Sequence, residues 1–365
     1  QRRLERFYGM HNQALEAKLA ERFGRRHALL TGNGTTALHV VLEYARECRG
    51  CRSVALPEMI CQTAVNSAVF SAMQLHFIDN QPNRLLADLE YWSGVAVAPE
   101  QQCLMVVDLF GYMHDDAALA GMDSFGYVVE DAAQAFFSRS PQRQAGTIGA
   151  ASIVSFGAGK HVDIGGGGAL LTDDQDLIAF GREWLQSLSA SPVNHAMLRK
   201  EHYKQLLDLE RMALPRVHHV QEWHAIYRNH RALFLSAFDT NLTQKLSAAL
   251  DGANQLKDAM LEKQQAILSW LASYPVSVIP YDDQSVAWRL PLFLDDAQSR
   301  NRLLACLEAS AIPVSTLFQP ATILNAVANP GAVALHQHAR LINIDLQKVD
   351  EKVLKKAMES YDWCE

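Results

Sequence analysis

The stretch from Gly146 to Thr172, GTIGAASIVSFGAGKHVDIGGGGALLT, places the tightest limits on the fold. Residues 151–156 are small and apolar, and Val154 and Phe156 suit a buried strand. Gly157, Gly159 and the run 165–168 leave the backbone free to bend and let another group come close. Residues 169–172 resume as a strand. Lys160 sits between the two strands, with Asp163 the one carboxylate near it in sequence. An amine fixed in such a turn and partly desolvated holds its proton less tightly. That suits it to Schiff-base chemistry with an aldehyde cofactor. Taken alone, the stretch equally fits a glycine-rich loop carrying a solvated lysine. It is not a phosphate loop. That motif needs Gly-Lys followed by Ser or Thr opening a helix, whereas His161 follows Lys160 and the later glycines lead into a strand.

The 365 residues are 49% hydrophobic, ample for a large core, in two or three domains or in one large α/β domain with a smaller partner. The net charge of −7 and the lack of a long Lys/Arg run argue against a nucleic-acid partner. No apolar run reaches the ~18–20 residues that span a membrane. No apolar core follows the opening QRRLERFYGM, so a signal peptide is not expected and a cytoplasmic location is. Six cysteines in a chain of this length do not form a disulfide framework. Cys48 and Cys51 make a lone CxxC without a second pair at zinc spacing, so both are expected as free thiols at a helix end.

Along the chain, residues 12–25 read as an amphipathic helix with Leu15, Leu19 and Phe23 on one face, stopped at Gly24. Residues 27–31 form a strand, 32–36 (GNGTT) a small polar turn, and 37–46 a helix. A strand, turn and helix in that order can bind an anion at the helix N-terminus, or be a plain capped turn. Strands follow at 53–56, 74–78, 103–109, 127–130 and 287–293, with a further one at 276–279 and one at 341–344. Helices are expected at 61–73, 173–188, 255–273, 297–310 and 349–363. A long helical passage at 202–238, broken at Pro215, would join two domains, 1–235 and 236–365. In open parallel sheets ligands gather at the carboxyl ends of strands, so residues 31–36, 109–112 and 131–134 should face one crevice.

Three segments thus stand in order: GNGTTAL at 32–38, VVEDAAQA at 128–135 and SFGAGKHVDIGGGGALLT at 155–172. Asp131 falls at a strand end, where it could pair with the pyridinium nitrogen of pyridoxal phosphate or simply cap a helix over 132–136. The ordered set resembles the DegT/StrS-type sugar aminotransferases, which are fold type I pyridoxal phosphate enzymes. The resemblance rests on Gly34-Thr35-Thr36-Ala37-Leu38, on Glu130-Asp131-Ala132-Ala133-Gln134-Ala135, and on Ser155-Phe156 with Lys160. It is sharp over residues 12–175 and general beyond. It implies a large α/β domain with a mostly parallel seven-stranded sheet between helices, and a smaller α+β C-terminal domain. It further implies pyridoxal 5'-phosphate as cofactor. Lys160 would be the Schiff-base lysine and proton shuttle, and Asp131 the ring-nitrogen partner. Gln134 would lie near the ring or its 3-hydroxyl, with Gly34, Thr35 and Ser155 as phosphate donors. A homodimer with two active sites at its interface is the implied assembly.

Four segments depart from the family pattern. Cys61 stands where an aromatic residue would stack on the cofactor ring, so Cys61 would be the ring neighbour. Asp108 precedes the LFGY turn in place of a histidine. Glu210-Arg211-Met212 is the nearest match to an Asn-Tyr-Arg-Met element, and IPVSTLFQPATIL (312–324) replaces an arginine- and histidine-bearing segment. All four are expected at substrate or ring contacts. His161 is expected to point away from the chemistry. His218, His219 and His224 are read as a solvated helix rather than a metal site, and Trp223 and Tyr227 as helix packing. The resemblance implies an aminotransferase that takes an amine from glutamate or glutamine to a keto sugar or related small carbonyl compound. The departures leave room for a cofactor-bound relative doing dehydration or carbon–carbon chemistry, or for a non-catalytic ligand-binding relative.

Overall fold

The computed structural model describes residues 2–188, 195–211, 220–281, 284–316, 320–321 and 331–363. Helix α1 (Arg2–Phe23) precedes β1 (His27–Thr31), α2 (Gly34–Cys48), β2 (Ser53–Pro57), α3 (Gln62–Phe70) and β3 (Gln74–Ile78). Four more strands follow: β4 (Gln102–Val107), β5 (Tyr127–Asp131), β6 (Ala151–Ser155) and β7 (Gly168–Thr172). They form one sheet in the order β1-β7-β6-β5-β4-β2-β3. β7 runs antiparallel to both its neighbours, and the other pairings are parallel. Every residue of β4 (QCLMVV) is buried, as a central strand covered on both faces requires.

Alternation along the strands divides the core. Leu29, Ile153 and Leu170 pack with α2 on one face. Leu30, Val154 and Leu171 pack on the other with Leu15, Leu19 and Phe23 of α1. That second cluster continues without a break into Leu246, Leu250, Ile267, Leu290 and Ile342. Here a smaller antiparallel sheet is built in the order β8-β10-β9 from β8 (Leu290–Phe293), β9 (Val314–Ser315) and β10 (Leu341–Ile344). Helices Ala297–Ala309, Ala332–Arg340 and Glu351–Ser360 accompany it. The division at 235/236 stands as a proposal. Ser236, on that seam, is tied to the first domain: its carbonyl accepts from Gly32 N–H at 2.8 Å and its own N–H donates to Thr36 Oγ1 at 3.1 Å.

Some local expectations change. Residues 276–279 form no strand; Ser277 makes a single bridge to Phe293. Residues 132–136 form turns rather than a helix. The strand expected at 103–109 ends at Val107, and Leu109–Gly111 turns through a left-handed Phe110 (φ +58°). The break at Pro215 lies outside the described residues, as do Met212, His218 and His219. Cys48 is exposed at the end of α2 and Cys51 is buried, both as free thiols. Among the described residues no helix is long and apolar enough to cross a membrane, and no cluster of three or more His, Cys, Asp or Glu could hold a metal.

The glycine run has a structural cause. Gly167 adopts φ +92°, donates its N–H to Gly32 O at 2.8 Å and bridges Asn33. Gly168 lies so close that a Cβ there would meet Asn33 C and Gly34 N at 2.5 Å. The group that approaches these glycines is therefore the β1–α2 turn. Gly168→Ala should cost about 1–3 kcal/mol in urea unfolding, the range for overpacking against backbone that cannot yield. Gly166→Ala, whose Cβ would meet only Leu242 Cδ1 at 3.4 Å, should cost less than half as much.

Candidate active site

Gly34, Thr35, Cys61, Asp131, Gln134, Ser155 and Lys160 line one cavity at the carboxyl ends of the strands. Each is placed by a local device. Asn33 caps α2, its Oδ1 accepting from Thr36 N–H at 2.8 Å and the Thr36 hydroxyl at 3.1 Å. The remaining N–H groups of that first turn have no intrahelical partner. Gly34 permits close packing on Ser155, whose Cβ would lie 3.1 Å from a Cβ at Gly34. Cys61 precedes α3, with its Sγ 3.1 Å from Thr63 Oγ1.

Asp131 ends β5 and is buried. One carboxylate oxygen accepts from Ala133 N–H at 3.0 Å in a local turn, which replaces the helix cap weighed from sequence. The other takes no hydrogen bond from the described residues. Burial pushes the Asp131 carboxyl up, while Ala133 N–H and Lys160 draw it down. Gln134 accepts from Phe110 N–H at 2.9 Å, holding the left-handed turn. Gln134 itself lines the cavity.

Lys160 is partly buried, and desolvation lowers the proton affinity of its amine. Cys61 and Asp131 oppose that shift, and Arg289 adds to it. Asp163 is not the amine's companion. Its carboxylate accepts from Gly159 N–H at 2.7 Å and Gly165 N–H at 2.8 Å and so staples the loop. His161 is fully buried, its ring 5.3 Å from that of Phe137 and beside the backbone of Val286 and Ala287. Burial brings its pKa down to about 4. It does not line the cavity.

The C-terminal part supplies contacts that sequence reasoning missed. Trp288 Nε1–H donates to Gly159 O at 2.6 Å, and its ring centroid lies 4.7 Å from Lys160 Nζ. Gln347 Nε2 donates to the carbonyls of Lys160 and His161, each at 3.1 Å. No local pattern marks these residues, because they meet the loop only through the fold.

Of the four departures, Cys61 is the one that reaches the cavity among the described residues. Asp108 corrects the expectation: it is fully buried next to Glu130, which faces away from Asp131 on the same strand. Glu130 accepts from Gly146 N–H, Ile148 N–H and the Ser152 hydroxyl. Glu210 and Arg211 end the helix His195–Arg211, and Met212 is outside the described residues. Within 312–324, Val314–Ser315 is β9, and 317–319 and 322–324 are outside the described residues. Tyr227 packs against His202 and Phe234, with ring centroids 4.8 and 5.3 Å away, while the side chain of Trp223 is not described.

The cavity fits pyridoxal phosphate. A helix N-terminus and the Thr35 and Ser155 hydroxyls suit a phosphate. A buried carboxylate with one oxygen open suits a protonated ring nitrogen, and a desolvated amine suits the aldehyde. Sheet order, the one antiparallel strand β7 and the lysine loop before it define a type I fold of pyridoxal phosphate-dependent transferases. A model of the DegT/DnrJ/EryC1/StrS aminotransferase family matches residues 4–343, and the chain belongs to that family. It is 30% identical over 166 residues to a GDP-perosamine synthase of Caulobacter vibrioides, covering 45% of this chain and 44% of that protein. It is 34% identical over 167 residues to the spore coat polysaccharide biosynthesis protein SpsC of Bacillus subtilis, covering 45% and 42%. Each alignment thus spans less than half of the relative. An E. coli GDP-4-keto-6-deoxy-D-mannose-3-dehydratase structure with bound hydrated PLP superposes with a TM-score of 0.73 at 13% identity, over 96% of this chain and 91% of that one. That likeness is one of fold.

Asp108 makes a pH prediction. Burial and the neighbouring Glu130 raise its carboxyl well above the ordinary value, so the folded state keeps a proton that the unfolded chain sheds. The stability this gives is whole in acid and is lost as pH rises through the folded value. Asp108→Asn, neutral at every pH, should therefore raise the urea midpoint at pH 8, with the gain shrinking toward pH 4.

Proposed function

We propose that the chain is a pyridoxal phosphate-dependent aminotransferase. It would move an amine from an amino acid donor, glutamate or glutamine, to a keto sugar or related small carbonyl compound in a biosynthetic pathway. The observation that carries this reading is the meeting of Lys160 and Asp131 at a cavity closed by the N-terminus of α2. The sugar-handling names of the relatives, GDP-perosamine synthase above all, support the substrate class.

When bound, the cofactor supplies an electron sink for the carbanion formed at the donor's Cα. The protein's residues do the rest. Lys160 Nζ, its proton affinity lowered by burial, would take and hold the proton from the donor's Cα. Asp131 would pair with a protonated ring nitrogen through its open oxygen, with the Ala133 N–H and Lys160 favouring its carboxylate form. Gln134, with its carbonyl oxygen engaged by Phe110, offers its amide N–H to the ring's 3-hydroxyl. The first turn of α2 and the hydroxyls of Thr35 and Ser155 hold the phosphate. The resemblance adds a homodimer as the working assembly.

A second reading keeps the cofactor and changes the reaction to dehydration or carbon–carbon bond formation. Cys61 on the cavity wall favours it, since a thiol gives the ring no flat face to stack on.

The two readings separate in a visible absorption titration. The protein with pyridoxal phosphate should show an absorption band that L-glutamate or L-glutamine bleaches, and Lys160→Ala should lack it. The variant should also lose about 10²–10⁴-fold in amine transfer. A band that no amino donor bleaches would shift the assignment to the second reading.

A further inference from the structure

The lysine turn is reached by a chain of contacts that begins on the opposite side of the cavity. Gln134 holds Phe110 N–H, Phe110 O accepts from Trp288 N–H at 2.9 Å, and the two rings stack with centroids 6.2 Å apart. Trp288 then meets Gly159 O and Lys160 Nζ. The Arg289 guanidinium lies 4.4 Å from the centroid of the same indole and is ion-paired with Asp345. Arg289 and Asp345 are both largely buried, so little solvent screens them. Tyr281 fixes the backbone here by donating its hydroxyl to Arg289 O at 3.1 Å.

We propose that Trp288 and Arg289 are positioning residues for the Lys160 amine. The indole seats the side chain and its turn, and the Arg289 guanidinium, anchored by Asp345, sets a positive charge against the same indole as the amine. This rests on the reading of Lys160 as the Schiff-base amine. Three charged or titratable groups act on that amine: Asp131 from β5, Cys61 ahead of α3, and Arg289 ahead of β8. The first two favour the protonated form, as does the ring face of Trp288. Arg289 opposes it, and Asp345 tempers Arg289. The C-terminal part thereby helps hold the amine ready to lose its proton.

This arrangement makes an asymmetric prediction. Removing the Asp345 charge exposes Arg289 and should make Lys160 easier to deprotonate; removing the Arg289 charge should make it harder. The test is competitive acetylation of full-length protein freed of carbonyl cofactor, with mass spectrometry reading Lys160 against other lysines across pH. Only the neutral amine reacts. At pH 8, Asp345→Asn should label about threefold faster and Arg289→Gln about threefold slower than the unaltered chain. Trp288→Leu should move the pH midpoint down, and Trp288→Phe, which keeps a ring over the ammonium, should restore most of it. Circular dichroism confirms that each variant is folded. Shifts in the same direction for both charge variants would mean that the loop is merely loosened, and would overturn the proposal. So would no shift in either. The labelling needs no cofactor, so its outcome is separate from whether pyridoxal phosphate gives an absorption band.

Discussion

Hydrogen bonds from two distant parts of the chain grip the backbone around Lys160. On one side the glycine run joins the β1–α2 turn, through Gly167 N–H to Gly32 O and the near-contact of Gly168 with Asn33 and Gly34. On the other, Trp288 and Gln347 bond the carbonyls of Gly159, Lys160 and His161. Asp163 closes the turn from within. The first side ties the lysine loop to the turn before the N-terminus of α2. The second ties it to the C-terminal sheet. The cavity walls come from residues between Asn33 and Lys160, and the C-terminal part acts on them through its grip on the lysine turn.

Charge is arranged in keeping with this geometry. Burial weakens the hold of Lys160 on its proton and strengthens that of Asp131, and each partly corrects the other. Two further carboxyls, Asp108 and Glu130, sit on the far side of β5. Glu130 spends its oxygens on two backbone N–H groups and a serine, organising the loop that leads into β6. One strand end thus serves the cavity with Asp131 and the scaffold with Glu130, because successive side chains on a strand point to opposite faces.

Much of this was legible in the sequence. The order of strands, the helix after GNGTT, and the turn that bears Lys160 all follow from short-range pattern. So does the convergence at the strand ends, which topology imposes on any open parallel sheet. The misreadings have physical reasons. Residues 132–136 lack a helix because Asp131 bonds its own neighbour two residues on and the chain turns again at Ser138, whose N–H meets Ala135 O. Val276, Val278 and Ile279 are β-branched and apolar, yet Pro275 and Pro280 flank the segment and only Ser277 bridges a partner strand. Asp108, expected at a substrate or ring contact, is instead buried beside Glu130, a neighbour that only the fold brings to it.

By itself the sequence determined the local elements, the lysine loop and the identity of the cavity's first contacts, since each is written in residues close together along the chain. Tertiary structure alone decided what braces them. Trp288, Arg289, Asp345 and Gln347 lie some 120 to 190 positions beyond Lys160, and nothing local distinguishes them from ordinary core and surface residues. Their roles exist only because the apolar face of α1 and the large sheet continues into the C-terminal core, bringing β8 and β10 against the lysine turn. Long-range burial of that kind is set by the sum of many side chains, so no short motif carries it.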